Sequence, residues 1–92
     1  MFKCEFIKYL WKDSDTKRLY KTLERKLVLP FVPVLGLEVA EGEWFSGKIE
    51  RIVWSNTDEV FTVKVMDIKP KEGVTAELLL DIAEKQGWST RV

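Results

Sequence analysis

Histidine is absent from the 92 residues, and with it the commonest general base and metal ligand at neutral pH. No Ser-His or Cys-His nucleophile can be assembled from what remains. Cysteine occurs once, as Cys4, which excludes an intramolecular disulfide and any zinc site built on cysteine pairs. The five glycines stand apart from one another and fall at turns, so there is no glycine-rich loop to cradle a phosphate. No apolar run approaches the roughly 18 residues needed to span a bilayer, and the first residues lack the apolar stretch of a secretion signal. The expectation is therefore no membrane partner and a cytoplasmic location. Net charge is lacking as well: fifteen basic residues cancel fifteen acidic ones, leaving no strong overall field to steer the molecule to nucleic acid or anionic lipid. These absences make an enzyme an unexpected reading, and no cofactor or metal is implied.

What is present is a composition of 46% apolar and 33% charged residues, that of a folded globular domain. Surface scaling gives about 5,500 Å² exposed when folded against roughly 15,700 Å² for the extended chain, enough burial for one domain over residues 1–92 without staples. The charges are unevenly placed. Residues 1–35 carry eight basic and four acidic side chains, residues 36–63 two and six, and residues 64–92 five of each. The first segment is at +4 and the second at −4. As opposite faces they make a dipolar domain able to pair with itself, as a homo-oligomer, or with a charged partner. As ordinary solvated faces they do neither.

Residues 36–68 read as three strands and two turns. Gly36–Ala40 and Val60–Met66 alternate apolar with polar, Ile49–Trp54 is rich in β-branched residues, and turn residues bound each. Such a period of two predicts an antiparallel meander. Phe61, Val63 and Val65 are its inner face, and Ile52 and Trp54 lie opposite Ile49, Arg51 and Val53. Met1 to Trp11 is expected to be a strand with Phe2, Cys4, Phe6 and Leu10 on one face, where Cys4 is a buried, inert thiol. Lys12–Asp15 is a turn. Residues 16–29 fit two periods: leucines at 19, 23 and 27 suit a basic amphipathic helix, and the same odd positions suit a strand. A short polar turn after a strand favours a hairpin return, so strand is the expectation. Leu29–Val34 must be extended, since its two prolines bias their predecessors away from helix, with Phe31 and the valines placed in the core. Near the C-terminus, Thr75 as N-cap, Glu77 in the first turn, and Leu78, Leu79, Ile82 and Ala83 at helical spacing predict one helix. Gly87 and Trp88 supply a Schellman ending, and residues 89–92 are expected to fray. The predicted fold is α+β, mainly β: an antiparallel sheet of about five strands, strongly bent or closed as a small SH3- or OB-like barrel, with one C-terminal helix. In size and layout it resembles short all-β chains with a terminal helix found among phage and mobile-element proteins, a likeness that no motif ties to particular residues.

Three binding functions fit these residues. The first is a protein-interaction module of inhibitor or adaptor type, using Trp44 and Phe45 at the meander tip with acidic neighbours Glu41 and Glu43, since exposed tryptophan is a common interface anchor. The competing reading has Trp44 and Phe45 plug the end of a barrel. The second is nucleic-acid binding, with Lys12, Lys17, Arg18, Lys21, Arg25 and Lys26 as a basic surface and Tyr9, Trp11 or Tyr20 as stacking groups. The third is a small-molecule binder with its site between subunits. Carboxylate chemistry is left only to Glu38, Glu41, Glu43, Asp58 and Glu59, acids in or near turns that ordinarily face solvent.

Overall fold

The computed structural model of the protein describes residues 1–13, 18–40 and 47–91. The chain begins with the long hairpin of β1 (Phe2–Trp11) and β2 (Leu19–Leu29), in register from Phe2 opposite Leu29 to Leu10 opposite Lys21. The ambiguous stretch is thus a strand. A helix this short is marginal in isolation, whereas β1 offers a full ladder of backbone partners and places Leu23 and Leu27 on its core face.

The meander is present, with differences. Its first strand shrinks to β3 (Glu38–Val39), and β4 (Gly47–Ser55) and β5 (Val60–Val65) form the antiparallel pair. A bulge separates Ile49 from Arg51, so that Ile49 opposes Val65 while Ile52 opposes Val63. The extra residue shifts the parity of the strand. Ile49 therefore shares the core face with Ile52 and Trp54, which strict alternation had put on opposite sides.

β5 lies parallel to β1, with Cys4 beside Phe61 and Ile7 beside Lys64. The sheet order is β3-β4-β5-β1-β2 followed by β6 (Ser89–Thr90), and the six strands curl into a half-barrel of mixed orientation. The class is the α+β, mainly β one expected, with a parallel central pair in place of a wholly antiparallel sheet. The short β3 supplies the reversal that turns β4 and β5 into this order.

Helix α1 (Ala76–Lys85) is capped at both ends as its residues dictate. The Thr75 hydroxyl accepts from Leu78 N at 3.1 Å, Gly87 takes φ +95°, and Trp88 N donates to Ala83 O at 3.0 Å. Its buried stripe is Ala76, Leu79 and Ala83; Leu78, about 100° away from Leu79 around the axis, is exposed. The chain does not fray after the helix. Ser89 and Thr90 pair with Glu24 and Leu23 of β2, and Arg91 N donates to Thr22 O at 2.8 Å.

The core joins Cys4, Phe6, Leu10, Leu23, Ile49, Val63, Val65 and Ile68 of the sheet side to Leu79, Ala83 and Trp88. Its helix end is at the finish of β1, where Lys12 pairs with Glu77. No helix is long and apolar enough to cross a membrane among the described residues. The accessible surface is 6193 Å², against the about 5,500 Å² that scaling gives for this mass.

Candidate protein-binding surface

At the end of the sheet away from the helix, the core face finishes in an apolar row. Leu29 of β2 opposes Phe2 of β1, and Phe61 of β5 opposes Trp54 of β4. Phe2 and Phe61 meet edge to face at 6.3 Å between ring centroids, and Phe61 and Trp54 lie at 4.8 Å. Such tilted pairs match ring edge to ring face and hold the rings in fixed orientation. Trp54 nevertheless keeps 50% of its surface exposed. Beside it opens a cleft of about 340 Å³ lined by Met1, Phe2, Lys3, Trp54, Asn56, Asp58, Glu59 and Phe61.

The row continues into the arm at 30–37, which carries the chain from β2 past three strands to β3. The core placement expected for Phe31 and its valines does not occur: Phe31, Val32, Val34 and Leu35 are 48%, 46%, 60% and 62% exposed, and Leu37 is 39% exposed. The physical reason lies in Pro30 and Pro33. Without N–H groups these residues cannot donate to a ladder, so the arm runs as a connection and not as a barrel strand. Pro33 alone of the arm is buried. The far end is tied down, with Gly36 N donating to Ile49 O at 2.9 Å and Ile49 N to Leu37 O at 2.9 Å, and Gly36 at φ +82° makes the bend. An apolar surface is thus presented on an anchored backbone.

Charges of both signs flank it. Lys3, Asp58 and Glu59 all line the cleft beside Trp54, and Lys26 lies on the outer side of β2. The turn holding the acids is built by Ser55, whose hydroxyl accepts from Asp58 N at 3.2 Å and whose carbonyl accepts from Glu59 N at 2.8 Å. Glu59 sits at φ +54°, a conformation that few side chains other than Asn, Asp and Gly adopt.

The outer face of the sheet has a different chemistry. Lys64 donates to Asp67 at 2.6 Å, to Glu50 at 3.2 Å and to Val65 O at 2.7 Å, with the Tyr9 ring 4.6 Å away. Arg91 reaches Glu5 and Glu24 at 3.5 and 3.6 Å. Trp11 donates to Asp67 at 2.8 Å. These groups compensate one another locally. On the core side, Lys8 is buried to 1% exposure, and burial pushes its pKa down to about 8, with the nearby Lys64 charge adding to the effect and Asp67 and Glu50 opposing it. Burial likewise pushes the Cys4 thiol up, in keeping with an unreactive cysteine.

Trp44, Phe45, Glu41 and Glu43 lie outside the described residues, as does Lys17. The remaining basic candidates do not share one surface. Lys21 and Arg25 alternate with the leucines on the core side of β2, Lys26 is on the outer side, and Arg18 is exposed before the strand. Lys12 bonds Glu77, which raises the lysine and lowers the carboxyl, and lies 4.7 Å from the Tyr20 ring. The Arg25 guanidinium lies against Gly87, where a cation suits a helix C-terminus. Tyr20 packs on the core. Glu38, Asp58 and Glu59 are exposed, and among the described residues no group of three or more His, Cys, Asp or Glu could hold a metal ion.

No protein family, curated protein or solved structure matches this chain. The site therefore rests on its own chemistry. Sequence reasoning missed Trp54 as an exposed group because a tryptophan within a strand reads as core, and missed the arm because Val and Phe beside proline read the same way. The available signal was the eleven-residue run Leu27–Leu37, which contains no charged residue and two prolines. A strand of that length cannot accommodate them in a sheet interior.

Proposed function

We propose that the protein is a non-enzymatic protein-binding module whose docking surface is the apolar end formed by Trp54 and the arm from Phe31 to Leu37. The observation that supports this reading is the exposure of the arm's large apolar side chains, on a segment anchored by Pro33 and the hydrogen bonds of Gly36 and Leu37, with Trp54 half exposed at the end of β4. Scattered exposed leucines are ordinary on protein surfaces. A contiguous apolar patch rimmed by charges is how interaction sites are built. A tryptophan with one face packed and the other open is suited to anchor a partner. Nucleic-acid binding has less support, because the basic residues diverge and several are matched by acids or rings.

Affinity capture from the native host tests the reading, with wild type and Leu35→Lys as baits and both confirmed folded by circular dichroism. The expected result is at least one protein, a second copy of the chain included, that wild type enriches and Leu35→Lys does not. Identical protein profiles from the two baits contradict it.

A further inference from the structure

We infer that the cleft beside Trp54 takes the ammonium end of a lysine side chain presented by the partner protein. The inference rests on the protein-binding reading above and names the chemistry the partner brings to Trp54. Three observations carry it.

The first is the rings. Phe2, Phe61 and Trp54 all line the cleft of about 340 Å³, inclined at 62° between Phe2 and Phe61 and 55° between Phe61 and Trp54. The wall they make is angled and not a flat plate. A ring face carries the negative part of the aromatic quadrupole and attracts a cation set against it, tryptophan most strongly. Trp54, half exposed, has surface open to that contact.

The second is charge. Asp58 and Glu59 line the same cleft. The Ser55 hydroxyl donates to the Asp58 carboxylate at 3.2 Å, and the Glu59 carboxylate has no hydrogen bond or ion pair among the described residues. Met1 and Lys3 line the cleft too, yet neither the Met1 amino group nor Lys3 pairs with these acids. An apolar occupant would take carboxylates out of water with nothing to match them, and an anion would meet like charge. A cation is the class of ligand that rings and acids both favour.

The third is the division of the lining. It is apolar at Met1 and Phe2, at the start of β1, and acidic at the turn between β4 and β5. A lysine side chain divides in the same way, an apolar stem ending in a charged head. With the stem along Phe2 and the head between Trp54 and the turn, each part meets its complement. A volume of about 340 Å³ is at the small end of ligand clefts, as suits a single side chain.

NMR titration of the whole nitrogen-15-labelled protein tests the inference, with probes taken to about 20 mM to cover the millimolar affinities of one such contact. The probes are an end-blocked pentapeptide with lysine between two pairs of glycines, the same peptide with norleucine for lysine, and tetramethylammonium chloride. The lysine peptide should shift the Trp54 indole N–H and the Asn56 and Phe61 amides, and bind about fivefold or more tighter than either of the others. Trp54→Leu should weaken it about fivefold and Glu59→Gln about threefold, while Lys3→Gln, which removes the resident cation, should strengthen it. The remaining signals report whether each variant is folded, and Glu59→Gln, at an exposed turn position, keeps the test open should Trp54→Leu not fold. A norleucine peptide that binds as tightly takes the charge out of the contact and overturns the inference. Equal binding of tetramethylammonium overturns the lysine stem, and so the inference, as do lysine-peptide shifts that are absent or that Glu59→Gln leaves unchanged. Each of these outcomes leaves the protein-binding reading to its own capture experiment with Leu35→Lys.

Discussion

Lys8 stands where the alternation of Phe2, Cys4, Phe6 and Leu10 calls for an apolar residue, and it is among the most buried side chains of the core. Its ammonium loses solvation on folding, which depresses its pKa to about 8 from 10.5. Between those values the unfolded chain holds a proton that the folded chain has released. Folding is therefore favoured by rising pH across that window; below about 8 both states are charged and the full penalty applies, and above 10.5 both are neutral. The expected gain is on the order of 3 kcal/mol. Urea unfolding from pH 7 to pH 11 checks this by subtraction: wild type should gain stability relative to Lys8→Met across the window, and parallel curves for the two proteins contradict it. The residue scale is also where sequence reasoning was weakest. A lysine on an apolar face reads as an interruption of the pattern, since a single sequence does not show whether the stem only passes through the core or the charge itself is enclosed.

At the scale of elements, what was legible followed from local chemistry. The helix was written out by Thr75, Glu77, Gly87 and Trp88, each satisfying a backbone group or the helix dipole within one turn of itself. Thr75→Ala should cost about 1 kcal/mol in chemical denaturation, because Leu78 N loses its acceptor, and Thr75→Ser should keep most of it. The hairpin was legible too, since polar residues follow β1 in the sequence and the leucines of β2 suit period two. What was not legible depended on contacts far away in the chain. The bulge beside Glu50 changes which face Ile49 occupies, and its position is set by register against β5. The parallel β1–β5 pair depends on β3 reversing the chain, and β3 is two residues long. The pairing of Ser89 and Thr90 with β2 carries no local signal at all; it exists because the Schellman turn aims the chain back at the edge of the hairpin.

For the molecule as a whole, the sheet and helix together cover one end of a half-barrel and leave the other apolar. The arm illustrates why the candidate site was only partly readable. Hydrophobic composition over Leu27–Leu37 was plain in the sequence, and the natural inference from it was core. Exposure is a property of what remains after the strands have paired, and the two prolines decided it by keeping the segment out of the sheet. The central claim is that this exposed apolar end is a contact surface for protein. The most direct measurement places a photo-crosslinking amino acid at Leu35, 62% exposed on the arm, and in a second protein at Arg51 on the outer face, and irradiates each in the native host. A discrete adduct, of twice 10.8 kDa for a second copy or of another defined mass for a different protein, should form from position 35 and not from position 51. Equal, diffuse labelling from both positions would contradict the account.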